Sequence, residues 1–137
     1  MKQYKNRIKV TSRSFSRHPI LKHELLELFP NSVFNIDGPP TGITNIVEFL
    51  KDADGVILGL EGIDRHVLQQ LENVKIIAKY GVGLDNLDVS SAEELGITIG
   101  WTGGVNKRSA SEQALGFMLG LSRNLFFTSF VVIWSQG

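Results

Sequence analysis

Along the chain the spacing of apolar positions switches repeatedly between a period of two and a period near 3.6, and that switching is the main architectural signal. Ile8-Lys9-Val10 alternates as a strand. From Ile20 to Phe29 the residues Leu21, Leu25, Leu28 and Phe29 form one helical stripe, with Pro19 near its start. Ser32 to Ile36 predicts a short strand before the Gly38-Pro39-Pro40 turn, and Ile43, Ile46, Val47 and Leu50 predict a helix. Gly55 to Leu58 is a short, continuously apolar strand. Asp64 stands as the cap of a helix carrying Val67, Leu68 and Leu71. Val74 to Ala78 predicts another buried strand. Asp88 caps a helix with Val89, Ala92 and Leu95 inward, stopped by Gly96, and Ile97 to Ile99 predicts a fifth strand.

Strands expected near 7–11, 33–36, 55–58, 74–79 and 97–99, separated by helices or capped turns, form a repeated βα pattern. Chains of this kind build parallel sheets with helices on both faces. The pattern therefore predicts a flavodoxin-like, doubly wound α/β domain with a five-stranded parallel sheet over residues 1–100. Residues 101–137 differ: a connector loop through Gly103-Gly104-Val105-Asn106 leads to Ser109-Ala-Ser-Glu112, read as a capping box that opens a helix to about Asn124. That helix carries Ala110, Ala114, Phe117, Met118 and Leu121 on one side, with Gly116 and Gly120 allowing close approach of another backbone. It is expected to project from the sheet domain and, with the Phe126–Trp134 run, to be buried against another copy of the chain. The alternative is a tail folded back as an edge strand, given the β-propensity of Val131-Val-Ile133.

Composition narrows the class. Fourteen basic and fourteen acidic residues cancel, so no basic stripe points to nucleic acid or an anionic membrane. The apolar stretch Leu125–Trp134 is too short to span a bilayer. No cysteine is present, which excludes a disulfide framework and a thiolate nucleophile. The N-terminus is charged and runs directly into a strand, so the expectation is a cytoplasmic protein.

Ligands of open α/β sheets bind outside the carboxyl ends of the strands. That rule selects the loops 11–16, 37–40, 59–62, 79–86 and 100–106. The fourth stands out: Lys79-Tyr80-Gly81-Val82-Gly83-Leu84-Asp85-Asn86 follows a buried strand with a glycine-spaced turn whose amides can form a concave anion site. Asp85 and Asn86 have short polar side chains able to bond back and hold the loop open; a tight strand-to-helix connection explains the same residues equally well. Gly81-Val-Gly83 does not meet the dinucleotide pattern, because position 86 is asparagine and the next helix begins only after Asp88. His18, His23 and His66 lie on or beside helices with no base–orienter pairing, and no His/Asp/Glu set has metal-ligand spacing. Ser12 and Arg13 in the hydroxyl-rich first loop are candidate anion contacts. A receiver domain is disfavoured, since Thr11-Ser12 and Gly59-Leu60 stand where it needs acidic residues.

Taken together, Lys79 to Asp88, the capped helix ending Glu94-Leu-Gly-Ile97, Gly103-Gly-Val-Asn106 and Ser109-Ala-Ser-Glu-Gln-Ala-Leu115 resemble the D-isomer-specific 2-hydroxyacid dehydrogenases, nearest their phosphoglycerate dehydrogenase-like branch. The resemblance covers about residues 7–127. It implies a substrate-binding lobe in which the backbone amides of Val82 and Gly83 take the substrate carboxylate, Tyr80 and Gly81 line the cleft, and Lys79 suits an anionic group. Asn106 falls among the loop-shaping positions. The substrate implied is a small anionic 2-hydroxy or 2-oxo acid. Leu60-Glu61-Gly62 stands where phosphoglycerate enzymes carry an arginine–serine stretch, which argues against 3-phosphoglycerate itself. The family continues into an NAD-binding domain with a glycine-rich turn, a catalytic arginine and a glutamate–histidine pair, and nothing of that kind follows Asn124. The expectation is a lobe that binds no NAD and turns nothing over alone; the alternative is a non-enzymatic module that binds a small anion or associates with a full-length relative.

Overall fold

The computed structural model describes residues 2–36, 45–125 and 127–128. The chain divides into two compact units, Met1–Gly103 and Gly104–Gly137.

The first unit contains five strands: β1 (Ile8–Val10), β2 (Val33–Phe34), β3 (Gly55–Leu58), β4 (Ile76–Lys79) and β5 (Thr98–Gly100). They form one sheet in the order β2-β1-β3-β4-β5, and every neighbouring pair is parallel. The order is that of a flavodoxin-like doubly wound sheet. From β1 the chain steps outward to β2, then returns across β1 to β3 and proceeds the other way. Right-handed crossovers then place the connections of the two halves on opposite faces. The expected strands are all present; β2 is shorter than expected, and β4 and β5 each start later, with Val74 and Ile97 buried as loop residues.

Helices fill the connections. α2 (Pro19–Leu28) has Pro19 at its first turn, and its cap is His18, whose Nδ1 accepts from Leu21 N–H at 3.4 Å. α3 (Ile46–Leu50) is capped by Asn45; Ile43, expected on the same helix, lies outside the described residues. Asp64 caps α4 (Arg65–Leu68) and Asp88 caps α5 (Val89–Glu94), both as expected. Gly96 closes α5 at φ 72°, a left-handed conformation that favours glycine. α1 (Arg13–Arg17) forms in the hydroxyl-rich segment after β1, where the sequence predicts no helix. Ser12 caps it by accepting from Phe15 N–H, so the cluster of serines is a capping device here.

Leu50 of α3, Leu68 of α4 and Ala92 of α5 join Val56, Leu58 and Ile77 of the central strands in one buried cluster, completed by Ala53, Ile63, Leu71, Val74, Leu87 and Ile97. Each fully buried aliphatic side chain of this kind contributes about 1.5–3 kcal/mol. The two central strands are thus fixed where the carboxyl-end loops begin.

In the second unit α6 (Lys107–Ser122) begins two residues before Ser109, so the expected capping box is not its start. Ser109 already lies inside the first turns, and Ser111 Oγ instead donates to Lys107 O at 2.7 Å. Asn106 occupies the cap position without a side-chain bond, behind Gly104 at φ 70°. The helix ends near the expected point, with Asn124 at φ 52°. Residues 129–137, including the Val131–Ile133 segment, lie outside the described residues.

Candidate functional site

The strand order reverses between β1 and β3, and the loops leaving these two strands meet there. Thr11, fully buried just past β1, donates its N–H to Ile57 O at 3.0 Å. Its Oγ1 accepts from Gly59 N–H at 2.8 Å and donates to Glu61 Oε2 at 2.5 Å. Gly59 has no room for a side chain, because a Cβ there would stand 2.9 Å from Ser12 Cα. Close approach of the two backbones, rather than a turn, is what requires glycine at this point.

The loop after β4 is tied to the loop after β3 by Asn86. Its Nδ2 donates to Glu61 O at 2.6 Å and Gly59 O at 3.1 Å, and its backbone carbonyl accepts from Ile63 N–H at 2.8 Å. Asp88 N–H returns a bond to Ile63 O, closing a parallel bridge between Ile63 and Leu87. Lys79 completes the brace: its ammonium donates to Asn86 Oδ1 at 2.6 Å and to Gly59 O. Burial lowers the Lys79 pKa from the ordinary lysine value, opposed by the charges of Glu61 and Asp85. Two expectations change in detail. Lys79, read as a contact for an anionic group, is engaged with protein acceptors. Asn86, expected to bond back onto its own loop, accepts from Lys79 and also donates across to the third loop.

Between these braced ends the segment Gly81-Val82-Gly83 is exposed or half-buried. Among the described residues the amides of Val82 and Gly83 donate to no carbonyl or side chain. Tyr80, next to them, is 40% exposed and anchored through its N–H to Leu58 O, with its ring edge-on to Phe15 of α1 at 5.3 Å. The carboxyl ends of β1 and β4 therefore touch through this pair. Asp85 makes no hydrogen bond among the described residues, contrary to its expected bracing role; its carboxylate lies beside Gly83, where a Cβ would stand 2.8 Å from Oδ2. Ser12 is buried and faces Phe15 N–H and Ser14 Oγ, so its hydroxyl serves the cap of α1. Arg13 is half-buried, and its Nε has no partner among the described residues. The loop after β2, residues 37–40, lies outside the described residues, and Asn106 belongs to the second unit. Thr11, Gly59 and Glu61 are the site residues that the sequence did not single out as a group; their only local signal is position at strand ends flanking the sheet's switch point.

A groove of about 370 Å³ opens beside this network, lined by Gly62, Ile63, Asp64 and Asp85 through Asp88. Its three carboxylates make it a poor seat for an anion, in contrast to the uncommitted amides at Val82 and Gly83. Among the described residues no group of three or more His, Asp or Glu is placed to hold a metal ion.

Over residues 15–131 the chain matches the catalytic domain of the D-isomer specific 2-hydroxyacid dehydrogenases. The chain belongs to that family. Among its relatives, the D-3-phosphoglycerate dehydrogenase of Methanocaldococcus jannaschii is 36% identical over 89 residues, which are 62% of this chain and 17% of that enzyme. The glyoxylate reductase of Thermococcus litoralis is 31% identical over 64% of this chain and 26% of its own length. This dehydrogenase-family chain thus spans under a third of the relatives it matches. Solved structures carry the same fold. An NAD+-bound 3-phosphoglycerate dehydrogenase of Entamoeba histolytica superposes with a TM-score of 0.63 at 24% identity, over 85% of this chain and 39% of that one. A 2-hydroxyacid dehydrogenase of Ketogulonicigenium vulgare does so at 0.66 and 20%, over 94% and 39%.

The turn at 81–83 and the amino termini of α4 and α5 do not fit a dinucleotide in this family member. The glycine-spaced turn at 81–83 opens no helix, because a bridged segment separates it from α5. The α5 amino terminus is already filled by the Asp88 carboxylate, which accepts from Ser91 N–H at 3.0 Å and from Ser91 Oγ at 2.6 Å. A second anion at that terminus would meet a resident negative charge, and Asp64 does the same at α4.

Proposed function

We propose that this chain is the substrate-binding lobe of an NAD-dependent D-2-hydroxyacid dehydrogenase, and that the amides of Val82 and Gly83 take the carboxylate of a small 2-hydroxy or 2-oxo acid. The observation that carries the reading is the pair of uncommitted amides on a loop held at both ends by Lys79 and Asn86. Exposed N–H groups in a preformed turn recognise a carboxylate without needing a full cation, because their dipoles converge on it. Tyr80, seated on Phe15, walls one side of the same opening. The names of its relatives, which include hydroxypyruvate and glyoxylate reductases, are consistent with this class of acid.

Hydride transfer in this reading draws on a nucleotide-binding domain outside these residues. The lobe positions the acid and keeps its carboxylate end fixed, while redox chemistry and proton transfer come from elsewhere. By itself it binds acid, does not bind NADH tightly, and does not turn over. We place the protein in the cytoplasm; among the described residues no helix is long and apolar enough to cross a membrane.

Equilibrium titration tests the proposal directly. Glyoxylate or its unreactive analogue oxamate is expected to bind saturably, while NADH shows no micromolar association. Micromolar NADH affinity, about −8 kcal/mol, would contradict the assignment of cofactor binding to another domain.

A further inference from the structure

We propose that Glu61 sets the substrate class of this lobe, admitting acids that carry one negative charge and rejecting those that also carry a phosphate. The inference rests on the reading that the acid docks at Val82 and Gly83.

Glu61 is half-buried and its carboxylate has a fixed place. Oε2 accepts from the Thr11 hydroxyl at 2.5 Å and lies 3.1 Å from the point where a Cβ would stand on Gly59. Lys79 is a cation beside the docking loop: its Nζ lies 3.7 Å from the corresponding point on Gly81. That ammonium is bonded to Gly59 O and Asn86 Oδ1, and the charges of Glu61 and Asp85 both act on it. Around that ammonium one positive charge faces two negative ones. Two neutral amides suffice for one carboxylate. A phosphate ester, carrying a further −1.5 to −2 at neutral pH, is drawn to a cation, and the Lys79 charge is already compensated by Glu61 and Asp85.

Glu61 also braces a loop, so the test must separate charge from bracing. The 15N-labelled chain is titrated with glyoxylate and with 3-phosphoglycerate while the Val82 and Gly83 amide resonances are followed, in the native chain, Glu61→Gln and Glu61→Asp. Glu61→Gln keeps a carbonyl acceptor for Thr11 and removes the charge; Glu61→Asp keeps the charge. The native chain is expected to bind glyoxylate at least tenfold more tightly than 3-phosphoglycerate. Glu61→Gln is expected to close about tenfold of that gap by improving 3-phosphoglycerate alone, and Glu61→Asp to retain it. Equal binding of the two acids by the native chain overturns the proposal, as does a Glu61→Gln variant in which both acids change together, the signature of a brace. Failure of every acid to move the Val82 and Gly83 resonances is a different result: it removes the docking reading itself, and this inference with it.

Discussion

Asn86 ties the loop after β4 to the loop after β3 through its side chain, and neither Gly59 nor Glu61 is visible in its sequence neighbourhood. It donates twice to the third loop and accepts from Lys79. Asn86→Ala leaves the Glu61 carbonyl and the half-buried Lys79 ammonium each short of a partner, and is expected to cost about 1–3 kcal/mol in urea unfolding. Asp52 carries a second residue-scale prediction. Hydrogen bonds from Lys9 and Arg7 hold its pKa below the ordinary 3.8, at about 2. A lowered carboxylate pKa stabilises the fold above the unfolded value, and that contribution is lost as pH falls from about 4 towards 2. The Asp52 side chain is 43% exposed, so solvent screening keeps the effect below about 1 kcal/mol. Asp52→Asn is expected to flatten the stability profile between pH 4 and 2, and an unchanged slope there would contradict the assignment. The sequence shows which residues stand at strand ends. It does not show that Thr11, Glu61, Lys79 and Asn86 meet, because those contacts span from 7 to 50 positions and depend on the strand order.

At the scale of elements, reading was best where a side chain caps a helix in its own turn. Asp64 and Asp88 were legible because Asx residues before an apolar periodic run satisfy amides three positions on. Ser12 leaves no such pattern, since α1 is five residues long and shows no period. At Ser109 the motif falls inside α6, which begins at Lys107 behind Gly104 at φ 70°. These cases separate in one experiment: Asp88→Ala is expected to cost about 1 kcal/mol, and Ser109→Ala to stay within about 0.5 kcal/mol, by chemical denaturation. α6 carries another prediction. Phe117, Met118 and Leu121 are 52%, 67% and 71% exposed, so a large apolar area lies uncovered. We propose that a second copy covers it at α6. Light scattering is expected to show a dimer that Phe117→Asp dissociates, and a monomer at high concentration would refute the idea.

For the molecule as a whole, the fold was legible because period switching, turn residues and caps all point to βα repeats, and parallel topology follows from connection length and handedness. Strand ends were less so: Val74 and Ile97 are apolar and buried, hence strand-like in pattern, yet lie outside the ladder. The candidate site lies at the carboxyl end of β4, beside the strands β1 and β3 between which the strand order reverses. Its content depends on which amides remain unbonded, a property of the folded chain alone. The most direct test of the account is therefore a map of amide shifts on adding oxamate to the 15N-labelled chain. The account predicts that the largest, saturable shifts fall on Val82 and Gly83, with smaller ones on Gly81 and Tyr80. Saturable shifts that leave these residues unmoved and collect elsewhere, or none at all at millimolar acid, would contradict it.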